Sequence, residues 1–135
     1  MIQIVKDSDT RPWFFLQTAH TTYGMWVMET GHLEHLYYGE RITVDSQDPS
    51  SCAPLVIQRA FAPGNTCTYD REHPQISMED VCLEVGTLGK GDIREPFLEV
   101  RFTDGSVTAD FTFDSYEVIT LKKREQYLQD SGLPH

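Results

Sequence analysis

Apolar and polar positions alternate with period two along much of the chain, the spacing that sends successive side chains to opposite faces of a strand. Ile2–Val5 alternates weakly, as an edge strand does, and Asp7-Ser8-Asp9 and Pro12 punctuate it. Trp13–Thr18 (WFFLQT) is too short for a helix and densely aromatic, which predicts a strand buried on both faces. After Thr21-Thr22-Tyr23-Gly24 comes Met25–Glu29. Here Tyr23, Met25 and Val27 share one face while Trp26 and Met28 share the other. Strands apolar on both sides belong inside a stack of layers. Thr30-Gly31 predicts a hairpin turn, with glycine supplying the backbone freedom. Leu33–Tyr38 returns, with Leu33, His35 and Tyr37 expected on one face and Glu34, Leu36 and Tyr38 on the other. Gly39 ends or bulges this strand, and Ile42 and Val44 continue at period two.

The rest of the chain is less regular. Asp45–Pro54 is a loop by composition. Leu55–Phe61 reads as strand or a short helical turn, and Ala62–Pro74 as loop. Gln75–Gly86 has no clean apolar face, and Gly86–Asp92 is a glycine-rich loop. Pro96–Phe102 predicts a strand with its proline at the start. Asp104-Gly105 is the strongest hairpin signal in the chain, joining Leu98–Thr103 to Ser106–Phe113. In the second arm Val107, Ala109, Phe111 and Phe113 are expected inward, with Thr108, Asp110, Thr112 and Asp114 outward. Tyr116–Leu121 predicts one more strand. Lys122–Asp130, without a β-branched residue, is the one helix-prone stretch. The pattern predicts an all-β fold over residues 1–135, an antiparallel β-sandwich in one domain, with little helix.

Composition narrows the function classes. The 135 residues are enough for a real core. The formal charge is −10, and the 11 Lys and Arg residues are scattered. No basic stripe offers itself to a phosphate backbone, so neither nucleic acid nor an anionic membrane is an expected partner. No run approaches the roughly 18 apolar residues of a spanning helix, and the N-terminus does not read as a signal peptide. Cys52, Cys67 and Cys82 are odd in number and lack metal spacing, which favours reduced thiols and a cytoplasmic setting.

Each candidate for chemistry has a plainer use. His32 and His35 are three apart on a predicted strand, so their rings diverge, unlike the HExxH pair of a zinc-binding helix. One is expected near the turn and the other beside Tyr37. Lys90 precedes Gly91 and Asp92 follows it, which is not a phosphate-binding loop; Asp92 fits amide capping or pairing with Arg94. Glu84, Asp92, Glu95 and Glu99 include no pair with the signature of glycoside hydrolysis. Ser and Cys show no nucleophile elbow. No residue is assigned to catalysis, to a cofactor or to a metal. Trp13, Trp26, Tyr23, Tyr37 and Tyr38 fit either a core or a platform on which a sugar ring stacks, and an interface is the third use.

Several motifs carry a resemblance across nearly the whole chain. These are Thr21-Thr22-Tyr23, Gly31-His32-Leu33-Glu34-His35-Leu36-Tyr37-Tyr38-Gly39, Gly89-Lys90-Gly91-Asp92-Ile93-Arg94-Glu95-Pro96, Glu99-Val100-Arg101, Asp104-Gly105-Ser106 and Gly132-Leu133-Pro134. In this order they resemble the N-terminal domain of family 36 glycoside hydrolases, the bacterial α-galactosidases. Ser77–Gly86 departs from the family pattern, lacking its two prolines and tyrosine while keeping Glu84. A Gly-Lys-Pro turn is replaced by Lys122–Asp130.

The resemblance implies a β-supersandwich, here possibly partial, that packs on a (β/α)8 barrel carrying two catalytic aspartates. That barrel hydrolyses α-galactosides with retention. A barrel needs about 250 residues, so this chain reads as an inactive N-terminal piece of a longer enzyme. The resemblance further implies homo-oligomers, with the Asp45–Pro54 loop as the candidate for reaching a neighbouring site. A sandwich cut short predicts an uncovered apolar patch at Trp13–Leu16 and Met25–Met28. The alternative is a carbohydrate-binding module with weak galactoside contact.

Overall fold

The structure, a computed structural model, describes residues 1–6, 11–56, 68–78, 80–92 and 95–119. Its centre is a four-stranded antiparallel sheet in sequence order: β1 (Ile2–Lys6), β2 (Pro12–Gln17), β3 (Thr21–Val27) and β4 (Leu33–Glu40). Pro12 opens β2, where its missing N–H costs least. Tight turns join β2 to β3 and β3 to β4. In the second, Gly31 N–H donates to Met28 O at 2.9 Å and Gly31 holds φ 85°, the left-handed region that favours glycine. Residues 82–84 extend the sheet beyond β4: His35 N–H donates to Cys82 O and Glu84 N–H to Leu33 O.

The register sets the two faces. Val5, Trp13, Trp26 and Glu34 lie side by side across the sheet. With Phe15, Val44 and Cys52 they build one core. Phe15 and Cys52 are fully buried, and the Trp13 and Trp26 rings lie 4.8 Å apart. Gly24 leaves room for the Phe15 ring, since a Cβ there would stand 3.1 Å from it. After β4 the chain turns back across this face. Gln17 Nε2 donates to Ile42 O (2.8 Å), Gln3 Nε2 donates to Val44 O (2.6 Å), and Thr22 Oγ1 accepts from Ile42 N–H (3.1 Å). Gln17 and Thr22 are buried polar groups, tolerable because they satisfy the backbone of this crossing segment. A 3-10 helix, η1 (Pro49–Leu55), completes the cover. Asp48 accepts from Ser50 N–H at its N-terminus, and Cys52 points into the core.

The other face carries Ile2, Ile4, Phe14, Leu16, Met25 and Leu33. Phe113 and Tyr116 pack onto Phe14, at ring distances of 5.9 and 5.0 Å. Among the described residues this cover is partial. A groove of about 330 Å³ remains between sheet and cover, and Ile2 and Leu16 are partly exposed at its edge. Among the described residues this apolar groove lies on the Ile2–Leu16 side of the sheet. Trp13, Phe15 and Trp26 face the closed core.

Several expectations are corrected. Tyr37 lies opposite Gly24, on the Trp26–Glu34 face, and Tyr38 lies opposite Tyr23. The cause is a bulge: Met25 pairs with His35 and Gly24 with Tyr37, so Leu36 is an extra residue that inverts the alternation after it. His35 therefore neighbours Tyr23, ring centroids 5.0 Å apart, and not Tyr37. Asp45–Pro54 is not all loop but contains most of η1, because Asp48 and Pro49 are favourable at a helix start. The Asp104-Gly105 turn forms, with Phe102 N–H donating to Ser106 O (2.9 Å) and Gly105 at φ 88°. Its arms, and the segment from Tyr116, are not strands among the described residues. Alternation reports which side is buried. A strand also needs a continuous ladder of partners, and Leu98 has only an isolated bridge to Thr87. Ala109 is inward as expected, whereas Phe111 is 46% exposed. The Gly86–Asp92 loop contains two two-residue strands, β5 (Thr87–Leu88) and β6 (Gly91–Asp92). The Lys122–Asp130 helix, Cys67, Arg94 and most of Leu55–Phe61 fall outside the described residues.

Neighbouring residues of β2 should differ sharply under truncation. Phe15→Ala should cost about 3–5 kcal/mol, the loss expected for emptying an aromatic core site. Leu16→Ala, at the groove edge, should cost less than about 1 kcal/mol. Urea unfolding of the two variants checks the assignment of faces.

Candidate functional site

The turn and first strand residues Thr30–His35 position three polar clusters. His32 is 2% exposed. Its Nδ1 meets Thr30 Oγ1 at 2.7 Å and its Nε2 meets Asp110 Oδ1 at 2.6 Å. Tyr69 O–H donates to Asp110 Oδ2 at 2.8 Å, and its ring stands edge-on to the imidazole at 4.8 Å. Lys90 Nζ lies 4.8 Å from the Tyr69 ring centroid, a cation–π contact. Burial pushes the Asp110 carboxyl upward, but hydrogen bonds from His32 and Tyr69, with attraction to His32 and Lys90, outweigh it. The carboxyl is held below the usual carboxylate range.

A hydroxyl, an imidazole and a carboxylate in sequence resemble a nucleophile relay. Here they make a clasp. Both ring nitrogens are committed to protein partners, and the buried imidazole is packed against Tyr69. The clasp fastens a segment with few ladder bonds: Phe113 N–H donates to Gly31 O at 2.7 Å, and Thr87 Oγ1 donates to Ala109 O.

The second cluster lies on the opposite side of β4. Tyr23 O–H donates to the Glu84 carboxylate, 2.6 and 2.7 Å from its two oxygens. His35 Nδ1 is 3.5 Å from Glu84 Oε1. Burial, then the hydrogen bond and charge of Glu84, push the Tyr23 phenol up to about 12. The hydrogen bond to Asp110, followed by burial, pushes Tyr69 to about 12 as well. The third cluster is internal: Glu34 is 1% exposed and its Oε2 accepts from Trp26 Nε1 at 2.8 Å.

The clusters separate the sequence candidates. His32 and His35 go to different carboxylates, Asp110 and Glu84. Trp13 is buried and Trp26 half-buried in the core, so the pair is not an exposed platform; Tyr38, 70% exposed, is the surface aromatic of the group. Glu95 and Glu99 lie at the surface. Among the described residues, no three His, Cys, Asp or Glu side chains converge as a metal site does. Sequence reasoning missed Tyr69 and Asp110 as polar partners. Asp110 is 78 positions from His32 and reads as an outward residue of an alternating arm, so no local signal pairs them.

Two titrations test these clusters. Tyr23 and Tyr69 should ionise late, at about 12. Their folded values are raised, so the stability each contributes is present below the ordinary value of 10.0 and is lost as pH rises towards 12. Ultraviolet titration of Tyr23→Phe and Tyr69→Phe should each remove one late component. Asp110→Asn should cost about 1–3 kcal/mol at neutral pH, the loss of a charge-assisted bond to a buried group. Because the Asp110 carboxyl is held low, its contribution is present above the ordinary value of 3.8 and disappears as pH falls below it. Unfolding curves of variant and parent should therefore converge in acid.

Comparison with known proteins places this geometry. Residues 31–135 match the family model described as the glycosyl hydrolase family 36 N-terminal domain. The chain is 39% identical over 123 residues to the bifunctional alpha-galactosidase/sucrose kinase AgaSK of Mediterraneibacter gnavus, covering 90% of this chain and 12% of that protein. It is 26% identical over 122 residues to the alpha-galactosidase AgaA of Geobacillus stearothermophilus, again covering 90% of this chain and 16% of that one. Among solved structures, the alpha-galactosidase from Lactobacillus brevis superposes with a TM-score of 0.67 at 28% identity, over 85% of this chain and 14% of that chain. The galactosidase domain of AgaSK superposes with a TM-score of 0.65 at 32% identity, over 84% and 15% respectively. The chain thus spans less than one fifth of the length of each of these relatives. It belongs to the family of glycosyl hydrolase family 36 N-terminal domains.

Proposed function

We propose that this chain is the non-catalytic structural domain of an α-galactosidase-like retaining glycosidase that hydrolyses terminal α-galactosides. Its role is to support a (β/α)8 barrel, shape the entrance of that barrel's site and mediate assembly into homo-oligomers in the cytoplasm. The family match carries the reading. The geometry supports it: Asp110 accepts from Tyr69 and meets His32, Glu84 accepts from Tyr23, and Glu34 accepts from Trp26. Carboxylates engaged in this way are fastenings. Glycoside hydrolysis instead needs two carboxylates on either side of a bound sugar ring, one as acid and one as nucleophile or base.

The purified chain should release nothing above blank from a chromogenic α-galactoside, while joining it to a family 36 barrel should give a stable, active protein. Turnover by the 135-residue chain itself would overturn the proposal. Size-exclusion with light scattering tests the assembly role. The partly open groove beside Phe14 and Leu16 should draw the chain into dimers as concentration rises. A monomer at every concentration would remove assembly from this domain.

A further inference from the structure

We propose that the outer edge of β1 is a seam at which two copies of this chain join, antiparallel and two-fold, with Ile4 of one copy opposite Ile4 of the other. This seam presupposes the homo-oligomeric role proposed above and gives it a surface.

Hydrogen-bond parity defines the seam. β1 is the outer strand of the sheet, with β2 as its paired neighbour. Gln17 N–H donates to Met1 O at 2.8 Å and the Met1 amino group donates to Gln17 O at 2.6 Å, so the two residues exchange bonds. Such pairs recur at every second residue of an antiparallel ladder. With Gln3 opposite Phe15 and Val5 opposite Trp13, the backbone groups of Gln3 and Val5 turn towards β2. Those of Ile2, Ile4 and Lys6 therefore turn outwards. Among the described residues no backbone group meets them there. An edge of this kind is a template for another strand.

The sequence of β1 suits a copy of itself. Placing Ile4 on the two-fold axis sets Ile2 opposite Lys6 and Gln3 opposite Val5, in both directions. Ile2, Ile4 and Lys6 are the residues with outward groups, so each meets a partner that can exchange bonds with it. Moving the axis to Gln3 or Val5 keeps the parity but leaves Lys6 or Ile2 without a partner in the strand. Charge favours the same register. Lys6 is the one charged side chain of β1, and it faces Ile2 of the other copy. The two Lys6 residues are then about 14 Å apart along the strands, beyond a screening length of about 8–10 Å. The chain carries a formal charge of −10, yet Met1–Lys6 contains no acidic residue. Two copies can approach here without opposing carboxylates.

The side chains add an apolar term. Ile2 and Ile4 lie on the groove side with Phe14 and Leu16, and Ile2 and Leu16 are partly exposed. The two-fold axis stands perpendicular to the sheet, so the groove sides of both copies fall on one side. Each Ile4 gains the other as a direct cross-strand neighbour, a pairing that stabilises sheets.

The register makes the test specific. Bonded antiparallel pairs hold their Cα atoms about 5.5 Å apart, within the span of a disulfide. Ile4→Cys in a Cys82→Ser background should therefore form covalent dimers with oxidised glutathione, and mass spectrometry should find the position-4 peptide joined to itself. Ile2→Cys in the same background would lie about 14 Å from its own copy and should not link. Ile4→Lys and Ile4→Glu place like charges opposite each other on the axis. Light scattering of either variant alone should show the midpoint of dimerisation moved to roughly 10-fold higher concentration, and an equimolar mixture should restore it. Circular dichroism checks the fold of both. Should either charge variant lose the fold, the cysteine pair decides. A chain that stays monomeric at every concentration overturns the assembly role and the seam together. A dimer unchanged in both folded charge variants, or one in which Ile4→Cys links no better than Ile2→Cys, overturns the seam and leaves the assembly role standing.

Discussion

A sheet that is apolar on both faces needs two covers, and this requirement organises the molecule. Trp13 and Phe15 point to one side of β2, Phe14 and Leu16 to the other. Burying an aromatic side chain is worth about 1.5–3 kcal/mol, so neither face can be left to water without loss. The chain supplies the covers from different distances. The first comes immediately, when residues 42–44 fold back over the sheet and η1 follows. The second comes from residues 113–118, about a hundred positions after β2.

The covers are held by polar groups. An apolar face attracts without direction, so it does not by itself fix the position of the segment lying on it. Gln3, Gln17 and Thr22 grip the backbone of the first cover, while His32 and Asp110 grip the approach to the second. All of these side chains project from the sheet or its turn, except Asp110, which reaches back to it. Gln17, Thr22 and His32 are buried and Gln3 half-buried, where an unpaired polar atom would be costly, so the geometry that satisfies them is also the one that seals the core.

Local chemistry explains what the sequence made legible. The Trp13–Leu16 strand, the Gly31 turn and the Asp104-Gly105 turn follow from residue type and spacing within a few positions. The long-range partners do not. Nothing near His32 predicts Asp110, and nothing near Tyr23 predicts Glu84, 61 positions away. Alternation misled in the 106–113 arm because it encodes a buried side, whereas the hydrogen-bond ladder depends on what lies alongside. The family resemblance was legible because it rests on ordered motifs, chiefly GHLEHLYYG. It could not indicate the use of each polar residue in that motif. His32 is a clasp, Glu34 an indole partner and His35 a neighbour of Tyr23 and Glu84.

The extra residue at Leu36 makes β4 a strand with two phases. Before it, odd-numbered positions share the Tyr23 side; after it, even-numbered positions do. The two adjacent tyrosines point to opposite sides as in any strand, and the extra residue decides which side each takes. Tyr37 folds over Gly39, where even a methyl group would meet its hydroxyl at 2.7 Å, and Tyr38 stands in solvent. Length is consequently a stricter constraint than identity in this stretch. A conservative exchange at one tyrosine disturbs one side only. Removing a single residue between His35 and Gly39 would restore uninterrupted parity, transpose the environments of everything downstream, and carry the 42–44 crossing segment away from the glutamines that hold it.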